Sequence, residues 1–297
     1  MSTKKDKFNN NNHYFMNLAI NLANKRKGLT GLNPSVGCVI VKNNKILSFG
    51  QTGFNGRPHA EFEAIKSCNK KDLNGSSIYI TMEPCTHYGK TPPCTKLIVK
   101  SQIKRVIYSI NDVDIRTKNK AYSFLKSKKI IVSSGLLKNK TKKIYKKYFV
   151  HKNNKKPYIA AKLACSNDYF ISSKNKFITN QHSRDVSHLL RYRFDSILVS
   201  SKTANFDNSK LSCRINGLEN HSPRRLIIDK DLKINKKSPI INDDKKNNTI
   251  IFHSSKDKKK INYLRSKGIK LNYMKLDVNN RINLKKVFSK AYKNGIG

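Results

Sequence analysis

The sequence predicts an α/β protein of two domains, and three observations carry that expectation. Strand-like and helix-like stretches alternate along the chain, the pattern of a sheet covered by helices. The alternation stops in a basic stretch over residues 138–156 and starts again at Pro157. The length, 297 residues, suits two domains of about 150 residues, each able to bury a core without disulfides. The expected division is a tail at 1–12, a first domain at 13–145, a basic linker at 146–156 and a second domain at 157–297.

The elements follow in order. Phe15, Leu18, Ala19, Leu22 and Ala23 recur at helical spacing, and Gly28 ends that helix. "SVGCVIVKNNKILSFGQTG" reads as two strands turning at Asn43 and Asn44. A helix then opens near His59, "SSIYITMEP" and "KRVIYSIND" are strands flanking a helix from about Cys94 to Ser101, and "KKIIVSSG" is a further strand. The basic stretch 138–156 reads as a partly helical, solvated connector. Beyond it, "PYIAAKLAC", "DSILVSS", "RRLIID", "NTIIFHSS" and "KLNYMKL" are strands. "SRDVSHLLRYRF", "KKINYLRSKGI" and the last stretch, "LKKVFSKAYKNGIG", are helical. This is a second α/β domain of nucleotide-binding type.

Composition bounds the function. The formal charge of +44, from 62 Lys+Arg against 18 Asp+Glu, is the kind that attracts nucleic acid or anionic membranes. Here the lysines are spread along the chain and accompany abundant Asn and Ile, no Trp and only 13 Gly, the drift of adenine- and thymine-rich codons. No specific nucleic-acid partner is expected. The N-terminus lacks the apolar core of a secretory signal, and no run reaches the roughly 18 apolar residues of a membrane span. A cytoplasmic chain is therefore expected, and its six cysteines point to metal or buried thiols rather than disulfides.

Chemistry concentrates in "PHAEFEAI" (58–65) and "TMEPCTHYGKTPPCTKL" (81–97). His59, Cys85 and Cys94 lie at the ends of predicted strands and helices. A cysteine at a helix N-terminus is stabilised as the thiolate that binds metal. One His and two Cys leave a tetrahedral Zn²⁺ one open position, the catalytic arrangement, where bound water acquires a pKa near 7. Glu61, two residues beyond His59, is the candidate catalytic group: a non-ligand carboxylate that carries the water's proton to a leaving amine. Glu83 is expected to orient neighbouring groups. Cys38, Cys68, Cys165 and Cys213 lack metal spacing and read as buried thiols.

These residues resemble the cytidine-deaminase-like zinc family and, within it, the bifunctional deaminase/reductases of riboflavin biosynthesis. "EPCTHYGKTPPC", with eight residues between the cysteines, and "NPSVGCVIV" (33–41) carry the likeness. The resemblance implies hydrolytic deamination of a diaminopyrimidinone ribotide, with Asn33 on the pyrimidine and His87 and Lys90 around the ribose phosphate. The second domain is similar to the family's dihydrofolate-reductase-like reductase. That implies an NADPH site at Ala164, Phe177, Thr203, Asp207 and Lys230. It also implies substrate contacts at Asn175, Arg191, Leu211 and Arg214, with the two arginines as phosphate clamps. Tyr169 stands where that family carries a Gly after Asp168, and Phe177 where it carries a Trp.

The family's reductases continue through a strand and a Glu-Gly-Gly-like turn, so the reductase is expected to be incomplete at Gly297 and inactive. Homo-oligomerisation is left open. Two rivals stand beside this reading: a tRNA or nucleoside deaminase, and a nucleic-acid-binding protein with a structural zinc. A fourth protein ligand would favour the latter, and His87 is the side chain that could supply it.

Overall fold

The computed structural model describes residues 9–171 and 178–297. The chain divides into two compact units, Met1–Lys155 and Lys156–Gly297. In the first, α1 (Asn10–Lys25) starts where the Asn9 side chain accepts the Asn12 N–H, and buries a stripe of Phe15, Met16, Ala19, Ile20 and Ala23. Strands β1 (Gly37–Lys42) and β2 (Lys45–Gln51) form the expected hairpin. Asn43 and Asn44 turn it with φ of 50° and 59°, the left-handed pair that suits a two-residue turn. There follow α2 (Ala60–Lys66), the short α3 (Lys70–Leu73), β3 (Ser77–Met82), α4 (Cys94–Lys100), β4 (Arg105–Ile110), α5 (Lys120–Ser127), β5 (Ile131–Ser134), α6 (Lys138–Ile144) and α7 (Lys146–Asn154).

The sheet order is β2-β1-β3-β4-β5, with β1 antiparallel to both neighbours and β3, β4 and β5 parallel. Gly50 lies opposite Cys38 and Gly37 opposite Gln51, so the two glycines point to opposite faces. A Cβ on Gly37 would sit 1.9 Å from the Ala19 carbonyl oxygen of α1, and one on Gly50 2.1 Å from the Ala60 oxygen of α2. Bare backbone at these points lets α1 press on one face and α2 on the other. The second contact brings the His59 end of α2 over the sheet.

The basic stretch expected to be a solvated connector is α6 and α7. Thr141, Ile144, Tyr145, Tyr148 and His151 are buried, because the i, i+3, i+4 spacing of 141, 144, 145 and 148 gives those helices an inward stripe. The first unit accordingly runs to Lys155, past the expected boundary at 145.

The second unit holds α8 (Gln181–Arg193), β6 (Ser196–Ser200), α9 (Ser201–Phe206), β7 (Arg224–Ile228), α10 (Pro239–Asn242), β8 (Thr249–His253), α11 (Lys258–Ser266), β9 (Lys270–Tyr273) and α12 (Leu284–Lys293). Its sheet, β6-β7-β8-β9, is parallel throughout. Alternate residues of β7 and β8 feed two cores. Ile227 and Ile251 pack with Ala204 and Leu264, while Leu226, Ile250 and Phe252 pack with Val287 and Ala291.

The strand expected over 157–165 does not form. That run joins no ladder, and Ile159 and Leu163 are 54% and 70% exposed. An apolar run becomes a buried strand only with neighbours to cover it, and β6 forms its ladder with β7 alone among the described residues. Among the described residues no helix is long and apolar enough to cross a membrane.

Candidate active site

His59 caps α2, Glu61 sits in its first turn, and Cys94 opens α4. Cys85 follows β3 through Glu83 and Pro84, and the Glu83 N–H bonded to the Ile110 carbonyl (2.8 Å) fixes the path. The elements thus deliver three metal-binding side chains to one point. His59 Nδ1 lies 3.3 Å from Cys94 Sγ and 3.6 Å from Cys85 Sγ, and the Cys94 backbone N–H donates to Cys85 Sγ at 3.2 Å. Their ligand atoms all fall within 4.8 Å of one another, and no fourth side chain joins them among the described residues. His87 is turned elsewhere, with Nδ1 3.1 Å from Thr117 Oγ1.

The electrostatics suit a cation. Hydrogen bonding, first from the Cys94 side chain and then from His59, lowers the Cys85 thiol to about 4, so it is a thiolate at neutral pH. Burial pushes the Glu61 carboxyl up to about 7. One imidazole and two sulfurs, one already ionised, fit zinc as a three-ligand set with an open fourth position.

His59 and Cys85 line a cleft of about 380 Å³, with Cys94 buried behind them, and Asn33, Glu61, His87 and Lys90 line it too. The sequence-predicted residues of the first unit are therefore gathered in one place. Sequence reasoning missed Arg57, Asp112, Asp114, Arg116, Tyr148 and Lys152, which line it too. Glu83 organises that wall: its carboxylate accepts the backbone N–H groups of Asp112 (3.1 Å), Asn119 (3.1 Å) and Ala121 (3.0 Å). Asp112 accepts the Tyr148 hydroxyl at 2.9 Å, and Asp114 accepts Arg116 at 2.7 Å and Lys152 at 3.0 Å. The helical spacing of Tyr148 and Lys152, one turn apart on α7, was the signal available in the sequence. Cys38, Cys68 and Cys213 are buried and Cys165 half-buried, all free.

In the second unit, Arg191 and Arg214 converge on His188. The Arg214 backbone N–H donates to His188 Nδ1 (3.2 Å), and Arg191 Nη1 lies 3.4 Å from the same atom and donates to the Ser212 carbonyl (3.0 Å). Thr203 and Asp207 follow the carboxyl end of β6 and Lys230 that of β7, where open α/β sheets take their ligands. The Leu211 side chain is buried in the core, and its backbone takes φ 54°. Ala164 is half-buried in the irregular run after Pro157. Asn175 and Phe177 lie outside the described residues. Tyr169 adopts φ 65°, the left-handed backbone that glycine favours.

A sheet of this order, with a zinc-type ligand set under two helix starts, defines the first unit as a zinc-dependent deaminase of the cytidine type. Residues 9–110 match the family described as the cytidine and deoxycytidylate deaminase zinc-binding region, and residues 157–297 match the RibD C-terminal domain. The chain belongs to the RibD family of riboflavin biosynthesis proteins, which join a deaminase to a dihydrofolate-reductase-like reductase using NADPH. It is 33% identical over 279 residues to the riboflavin biosynthesis protein RibD of Aquifex aeolicus, covering 93% of this chain and 76% of that one. It is 34% identical over 286 residues to that of Bacillus amyloliquefaciens, covering 95% and 76%. A solved structure from Thermotoga maritima, described as a diaminohydroxyphosphoribosylaminopyrimidine deaminase/5-amino-6-(5-phosphoribosylamino)uracil reductase, superposes with a TM-score of 0.82 at 30% identity. The match covers 96% of this chain and 79% of that one.

Proposed function

We propose that the first unit deaminates 2,5-diamino-6-(5-phosphoribosylamino)pyrimidin-4(3H)-one to 5-amino-6-(5-phosphoribosylamino)uracil, with His59, Cys85 and Cys94 as zinc ligands and Glu61 as the catalytic group. The observation that carries this is the convergence of those three donors beside a buried, non-ligand carboxylate in a cleft lined with cations. Bound zinc supplies a water of lowered pKa. Glu61 would take a proton from water at that position and pass it to the departing amine; oxygen adds at C2, ammonia leaves, and C2 becomes a carbonyl. A carboxyl near 7 is suited to holding and releasing that proton at neutral pH. Asn33 orients the pyrimidine, and His87 and Lys90 face the phosphate.

The second unit, on this reading, serves the NADPH-dependent reduction of the deaminated product's ribosyl group to ribityl in the full-length protein. Thr203, Asp207, Lys230 and Ala164 would hold NADPH, and Arg191, Arg214 and the Leu211 backbone would hold substrate. The parallel sheet, and the approach of the Arg191 guanidinium and the Arg214 backbone to His188, support it. The test is ammonia release from the diaminopyrimidinone ribotide by purified protein, with the uracil ribotide as product. Deamination of tRNA with none of the ribotide would overturn the reading.

A further inference from the structure

Four cations line the deaminase cleft: Arg57, Lys90, Arg116 and Lys152. Arg116 and Lys152 both bond Asp114 and are thereby neutralised in part. Arg57 and Lys90 have no carboxylate partner among the described residues. Arg57 is half-buried as a residue, but its guanidinium is exposed where it meets Thr91, open to an anion that enters the cleft.

Its position is fixed from two sides. The Gly53 N–H donates to the Pro58 carbonyl at 2.9 Å, closing the turn that carries Arg57. Arg57 Nη1 donates to Thr91 Oγ1, in the loop between the two cysteines. The space in front of it is open because residue 89 is glycine. A Cβ there would lie 3.2 Å from Arg57 Nη2 and 4.0 Å from His87 Nε2. A guanidinium and an imidazole therefore border one bare stretch of backbone, with Lys90 next along the chain.

We propose that Arg57 is a further specificity-determining residue of the deaminase, its guanidinium fork gripping the phosphate monoester of the substrate beside His87 and Lys90. This rests on the ribotide reading above. Thr91 occupies one N–H of the fork and leaves others for phosphate oxygens, the planar recognition for which Arg is better suited than Lys.

The experiment compares wild type, Arg57→Gln and Arg57→Lys on the diaminopyrimidinone ribotide and on its dephosphorylated riboside. Zinc content and thermal unfolding serve as controls, and affinity for ribose 5-phosphate is measured by calorimetry. Arg57→Gln is expected to raise KM for the ribotide about 10- to 100-fold with little change in kcat. It should leave the riboside's kcat/KM unchanged and weaken ribose 5-phosphate binding to the same degree. Arg57→Lys should recover part of each loss, and carries the test if Arg57→Gln does not fold. An equal loss on ribotide and riboside, or an unchanged KM for the ribotide, would overturn the proposal. If neither compound is deaminated, the substrate reading fails; ribose 5-phosphate affinity still decides for or against Arg57.

Discussion

In the first unit the buried carboxylates gather around the cleft. Glu83 cradles three backbone N–H groups, and Asp112 and Asp114 tie the same loop to Tyr148 and Lys152 of α7. In the second unit the prominent buried charge is a guanidinium, Arg225 on β7, forked on Asp243 at 2.7 and 2.8 Å with Thr249 as a third partner. The first arrangement fixes a loop whose side chains face a cavity. The second fastens a strand to the chain segment after α10. Polar groups buried for positioning and polar groups buried for support thus differ in what they hold, and single substitutions separate them.

The largest effect is expected at the metal. Cys85→Ser should lose zinc by metal analysis and all measurable deamination, while Asp243→Ala, outside the cleft, should keep both where the protein remains folded. Full zinc occupancy in Cys85→Ser would break the comparison at its base.

Next in size is Asp243→Ala itself. Removing one member of a buried pair strands the other, at a cost of about 3 kcal/mol or more, since Arg225 is 2% exposed. Urea unfolding should show a loss of that order. A loss near zero would mean that Thr249 and the Lys210 carbonyl satisfy Arg225 unaided.

Glu83→Gln comes third. The amide keeps one acceptor but turns its NH₂ toward backbone donors, leaving at least one buried N–H unpaired, about 1–3 kcal/mol. Because the loop lines the cleft, KM for the substrate should rise with the loss of stability. A stability loss with unchanged KM would reduce Glu83 to a support residue like Arg225.

The hairpin and the zinc-ligand set of the first unit were legible in the sequence because their signals are local. The Asn43-Asn44 turn, the Pro58-His59-Ala60-Glu61 run and the two cysteines each specify their own geometry within a few residues. Arg57 was invisible for the opposite reason: in a chain with 62 Lys+Arg, one more cation carries no signal until the fold shows which cations lack a partner. In the second unit, β6 to β9 and α12 were legible from apolar periodicity. The run 157–165 was misread because its apolar character fits a strand but its ladder depends on distant neighbours. The meeting of Arg191 and Arg214 at His188 joins α8 to a loop more than twenty residues later, a contact no local pattern encodes.

The smallest effect concerns pH. Hydrogen bonds from Arg116, and then Lys152, hold the Asp114 carboxyl below the usual carboxylate range. A lowered folded pKa stabilises above the unfolded value of about 4 and is lost as pH falls through the folded value. Asp114→Asn should therefore cost stability at neutral pH and converge on wild type in acid. Arg116 is 56% exposed, so the difference should stay under about 1 kcal/mol. A gap in urea midpoint that widened on acidification would contradict the assignment.

The central claim is that the first unit is a zinc deaminase in which the carboxylate beside the ligands moves the proton. Glu61→Gln tests it most directly, with zinc content and ammonia release from the diaminopyrimidinone ribotide measured on the same sample. Full zinc with a loss of about 10²- to 10⁴-fold in rate is the predicted result; full zinc with less than about a tenfold loss would contradict it.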